Sequence, residues 1–79
     1  MSNFDYYLEA RDLISRLKSE GDDESASKLR SAMEGGATGT EILMALRFHL
    51  AEIIKNIPLR DETRIQASRL LVEIIDALE

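Results

Sequence analysis

Cysteine and tryptophan are absent from the sequence, and histidine and proline occur once each. Without cysteine no disulfide can staple the fold and no thiolate-bound zinc or iron–sulfur centre can form. A cysteine-free chain fits a reducing cytoplasm, the location expected here. One proline and four glycines leave room only for short breaks between elements. Aromatic residues make up 5% of the chain, and valine and threonine are also few, so strand propensity is low. The longest uninterrupted apolar run is Ile42–Leu46, far short of the roughly 20 residues needed to cross a bilayer. The opening Met1-Ser2-Asn3-Phe4-Asp5 has neither a basic start nor an apolar stretch, so no signal peptide is expected. Positive charge is in deficit as well, with 10 Lys and Arg against 15 Asp and Glu and a formal net charge of −5. That balance repels nucleic acid and anionic membranes. Neither is expected as a partner; it suits a basic protein partner, or solubility alone.

What remains is an ordinary globular composition, 44% hydrophobic and 32% charged over 79 residues, too apolar for a disordered chain. Leu, Ile, Ala, Glu and Arg dominate and favour helix. The length bounds the chain to one domain, spanning residues 1–79. A core of this size supplies only about 3–5 kcal/mol, so close helix packing or self-association must support it.

Four helical segments follow from the hydrophobic periodicity, at about 3–19, 23–34, 39–57 and 61–78. The first has Ser2 or Asn3 as cap, Asp5 in its first turn, and an apolar face of Tyr7, Ala10, Ile14 and Leu17 widened by Leu13. Gly21 suits the left-handed conformation of its C-terminal end. The second is short, capped by Asp22 or Asp23, with a thin face of Ala26, Leu29, Ala32 and Met33; Gly35-Gly36 ends it. The third opens on Thr38-Gly39-Thr40-Glu41, a capping-box pattern, and carries the seam Leu43, Leu46, Leu50, Ile53 and Ile57. Pro58 stops it. The fourth is expected to start with Asp61 as cap. Its two stripes, Ile65–Ser68–Val72–Ile75 and Ala67–Leu71–Ile74–Leu78, together with Leu70 cover well over half of its circumference.

The residues that could carry chemistry are better explained by structure. His49 and Glu52 share a helix face, which suggests a metal half-site completed across a dimer. Di-iron bundles use the reverse order, Glu-x-x-His, with further glutamates, and zinc needs more ligands than one histidine offers; a histidine at the edge of the core is the reading adopted. A Ser–His–acid triad would have to use His49 as its base, and no serine has the context of a nucleophile. Asp22-Asp23-Glu24 and Asp61-Glu62 sit at helix starts, where capping and the helix dipole account for them. Gly35-Gly36-Ala37-Thr38-Gly39 leads into a helix but lacks the lysine of a phosphate-binding loop, and Glu41 would repel an anion. A helix-turn-helix reading fails because the third helix opens on Glu41, Ile42, Leu43 and Met44 rather than on base-reading side chains. No catalytic, cofactor-binding or metal residues are therefore assigned.

Apolar surplus is the more informative feature. Met44 and Phe48 lie one turn apart, away from the Leu43–Ile57 seam. Phe4, Tyr6 and Leu8 do not fit the Tyr7–Leu17 face, and the fourth helix has its wide arc. Monomers rarely expose large apolar patches. The expectation is an all-α, up-down bundle of four helices with a short second helix, completed by dimerisation. Its core is expected to hold Tyr7, Leu13, Ile14, Leu17, Leu29, Leu43, Leu46, Leu50, Ile53, Leu71, Val72, Ile75 and Leu78. The function expected is a non-enzymatic protein–protein interaction module, homodimeric, using surplus faces of helices one, three and four, with Met44, Phe48, Leu70 and Ile74 at the interface. The alternative is a small acidic inhibitor of a basic partner such as a nuclease toxin, with Asp22, Asp23, Glu24, Glu34, Asp61 and Glu62 facing that partner. Colicin-nuclease immunity proteins are likewise small, acidic and four-helical, a likeness of size, charge and architecture with no sequence motif behind it.

Overall fold

Asp5 opens the first helix: its backbone is extended and its carboxylate accepts from the Leu8 N–H at 3.0 Å. The cap is thus Asp5 rather than Ser2 or Asn3, which lie outside the residues described by the computed structural model, 4–79. Four helices follow: α1 (Tyr6–Ser19), α2 (Asp23–Gly35), α3 (Gly39–Asn56) and α4 (Asp61–Leu78). Strands are absent among the described residues.

The breaks use the chemistry read from the sequence. Gly21 takes φ +85°, the Asp22 N–H reaches the Leu17 carbonyl at 2.9 Å, and the Gly21 N–H reaches that of Lys18 at 3.0 Å. This pair of bonds is a Schellman cap, which requires a left-handed residue. Asp22 then caps α2 by accepting from the Ser25 N–H at 3.0 Å. Thr38 caps α3, accepting from the Glu41 N–H at 3.2 Å while its hydroxyl donates to the Glu41 carboxylate at 3.2 Å. The start of α4 differs from expectation. Arg60, extended at ψ 152° and without a side-chain cap bond, precedes the helix; its carbonyl already accepts from the Arg64 N–H at 2.8 Å. Asp61 is therefore inside the first turn, where it and Glu62 face the positive end of the helix dipole.

Each helix packs on two others. α1 lies against α2 and α4, and α3 against α2 and α4, while the diagonal pairs do not meet among the described residues. Side-chain bonds across α1 and α4 fix their direction. Glu9 pairs with Arg69 at 3.3 Å, Asp12 accepts from Gln66 at 2.7 Å, and Arg16 pairs with Glu62 at 3.4 Å. As numbers rise along α1 they fall one for one along α4, so the two helices are antiparallel. Short connections give the same sense to successive helices, and the result is the up-down four-helix bundle.

Down its centre run Leu13, Leu17, Leu29, Leu46, Leu50 and Leu70, all fully buried. Alanines 10, 26, 32 and 67 are buried too, and their small side chains let neighbouring backbones approach. The core departs from expectation at Tyr7 on α1 and at Val72, Leu70 and Ile74 on α4. Tyr7 is exposed and lines the α1–α2 groove together with Arg11, Arg30 and Met33. Val72 is exposed, and Leu70 and Ile74 are fully buried in its place. On α4 the polar seam to α1 (Glu62, Gln66, Arg69) and the bond from Arg64 to the Ile54 carbonyl at 3.3 Å flank a stripe of Thr63, Ala67, Leu70 and Ile74. That stripe points between α1 and α3. Leu43, Leu71 and Leu78 pack against the core from half-buried positions, and Ile75 is half-buried without joining it. Thr63, fully buried, donates its hydroxyl to the Glu20 carboxylate and ties the start of α4 to the end of α1.

Candidate interaction surface

The core face of α3 is set by Leu46, Leu50 and Ile53. At about 100° per residue, Met44, Phe48, Ala51 and Lys55 point the opposite way. All four are exposed, with Met44 at 57% and Phe48 at 63%. The Phe48 ring has one aromatic neighbour, His49, at 5.3 Å between centroids in an edge-on arrangement. Leaving such side chains in water forgoes roughly 1.5–3 kcal/mol each relative to full burial. The same face carries both charges, with Glu41 and Lys55 at its ends and Arg47 and Glu52 beside Phe48. The strip is thus locally neutral on an acidic chain.

The other two interface residues expected from sequence do not belong here. Leu70 and Ile74 are both 0% exposed. A contact surface cannot use side chains that already fill the core between α1 and α3. The exposed large apolar residues of α4 are instead Ile65 and Val72, at 67% and 59%. They lie on its outer face for the same rotational reason that buries Leu70. The surplus of α1 is also smaller than expected. The Phe4 and Tyr6 rings meet in a tilted arrangement at 5.2 Å, and the Arg69 guanidinium lies 6.0 Å from the Phe4 ring. Both aromatics pack against the core, which leaves Leu8 and, less fully, Tyr7 as the exposed large apolar side chains of α1.

The acidic residues divide. The Thr63–Glu20 bond sets the start of α4 beside the turn into α2. Asp22, Asp23, Glu24, Asp61 and Glu62 therefore share one end of the bundle. Glu34 lies ten residues after Glu24 on the same helix, about 15 Å further along it and at the opposite end. Several of these carboxylates also have partners within the chain: Asp22 caps α2, Glu24 is 3.5 Å from Lys28, and Glu62 is 3.4 Å from Arg16.

His49 is half-buried and Glu52 exposed. No group of three or more His, Cys, Asp or Glu side chains that could hold a metal ion occurs among the described residues. A groove at the junction of α1 and α4 is lined by Asp12, Arg16, Glu20 and Arg60 among others. No helix of the described residues is long and apolar enough to cross a membrane. Set against protein families, curated proteins and solved structures, the chain matches no family model, no curated protein and no solved structure.

Proposed function

We propose that this protein is a non-enzymatic interaction module that self-associates through the outer face of α3. The observation that carries this reading is the pair Met44 and Phe48, one helical turn apart and more than half exposed, on a bundle whose other large apolar residues of α3 are buried or half-buried. Local charge balance on that face favours a second copy over a basic partner, since a strip holding Glu41, Glu52, Arg47 and Lys55 offers no net charge to attract one. The cytoplasmic setting belongs to the same reading and rests on the cysteine-free composition.

The test is solution mass by light scattering after size exclusion, over roughly 10 μM to 1 mM, a range suited to the modest affinity of a single-helix contact. Wild type is expected to approach twice its 8.9 kDa monomer mass, and Phe48→Glu to stay at the monomer mass with an unchanged helical circular-dichroism spectrum. A wild type that remains monomeric across the whole range overturns the reading.

A further inference from the structure

We infer that two copies meet with their α3 helices antiparallel about a two-fold axis at Phe48, so that Glu41 of each copy lies opposite the partner's Lys55. This inference rests on the self-association proposed above and specifies its geometry.

In an antiparallel pair centred on one residue, positions equally far before and after it come together. Seven residues before Phe48 is Glu41, and seven after it is Lys55. Seven residues are two helical turns, so both stay on the outer face with Phe48 and flank it at each end. Three residues after it is Ala51, an exposed small side chain that allows close helix approach. Phe48 itself meets the partner's Phe48 at the axis, where aromatic rings gain from stacking as well as burial. A two-fold contact must be self-complementary, and this arrangement pairs opposite charges twice. A parallel arrangement would set Glu41 against its own copy, Lys55 against its own copy and Arg47 against its own copy.

The outer face of α4 fails the same comparison. Antiparallel pairing midway between Ile65 and Val72 would bring Asp61 opposite the partner's Asp76, and Arg69 is already engaged by Glu9 at 3.3 Å and by the Phe4 ring. Like charges set opposite each other penalise a contact. Of the two apolar outer faces, α3 is the one whose charges favour a second copy of itself.

Charge exchange tests the geometry. Glu41→Lys alone sets a lysine against the partner's Lys55, and Lys55→Glu alone sets a glutamate against the partner's Glu41. Each variant should dimerise about five-fold more weakly than wild type, from two reversed exposed pairs per dimer. The double variant Glu41→Lys/Lys55→Glu should recover wild-type affinity. Mixing the two single variants should produce a heterodimer tighter than either homodimer, because both of its pairs are then of opposite sign. Sedimentation velocity or native mass spectrometry reads these populations, with circular dichroism and thermal melts confirming that each variant is folded. A wild-type dimer that shows no recovery in the double variant and no preference for the mixed pair overturns the antiparallel arrangement while leaving self-association intact. A monomeric wild type overturns both.

Discussion

Gly36 and Ile42 are in contact across the α2–α3 turn so closely that a β-carbon at position 36 would lie 2.5 Å from Ile42 Cγ1 and 3.0 Å from its backbone nitrogen. The constraint is one of space, since Gly36 has an ordinary extended conformation at φ −84°. Gly36→Ala is expected to destabilise the bundle by about 1–3 kcal/mol through overpacking against backbone. Gly35, with nothing within 4 Å of an added β-carbon, behaves oppositely: Gly35→Ala should be neutral or stabilise by about 0.4–1 kcal/mol by restricting the unfolded chain. Urea unfolding followed by circular dichroism distinguishes the two.

The rotation of α4 can be checked residue by residue. Ile74→Val removes one buried methylene and should cost about 0.5–1.5 kcal/mol, and Leu70→Ala about 2–5 kcal/mol, enough to unfold most of so small a domain. Val72→Ala and Ile65→Ala on the outer face should fall within about 0.5 kcal/mol of wild type. Equal losses at 72 and 74 would place the wrong stripe in the core.

Thr63 sits at no exposure with its hydroxyl bonded to Glu20. Thr63→Val keeps the shape and removes the donor. The expected loss is about 1–2 kcal/mol, slightly above a neutral hydrogen bond because the acceptor is a carboxylate. Glu20→Gln retains an acceptor oxygen and should lose less. A Thr63→Val variant as stable as wild type in urea would show that the bond contributes nothing.

The cap of α3 gives a fourth expectation. Thr38→Ala frees the Glu41 N–H that the threonine hydroxyl now satisfies at 3.2 Å, and should cost about 0.5–2 kcal/mol. Thr38→Ser should restore most of it. Melting temperature at fixed concentration is the measurement.

Local signals were legible wherever the chemistry is local. Gly21, Asp22 and Thr38 announce their turns because the partners they need lie within five residues. The seam of α3 was legible at Leu46, Leu50 and Ile53, and the exposure of Met44 and Phe48 followed from being opposite that seam. What the sequence did not contain was the rotation of α4. An apolar arc wider than half a turn permits several buried stripes, and the choice is made by Gln66, Arg69 and Arg64 reaching partners 54, 60 and 10 residues away. The arc alone is therefore compatible with Leu70 and Ile74 at an interface, whereas the long-range contacts turn both into the core. Thr63 was missed because its partner, Glu20, is 43 residues distant and a threonine at helical spacing announces no burial.

Three of the four helix–helix seams join consecutive helices, and the fourth closes the ring between α1 and α4. Its partners are separated by 43 to 60 residues, so bringing them together costs loop-closure entropy of about 3–4 kcal/mol. The ion pairs along it are exposed and worth at most about 1 kcal/mol each; Ala67, Leu70 and Ile74 must supply the rest. In kinetic terms, the hairpins α1–α2, α2–α3 and α3–α4 can form from nearby contacts while the ring remains open. Docking of α4 on α1 is then expected to be the late step, and hydrogen exchange that opens this seam no earlier than the three hairpins would contradict it.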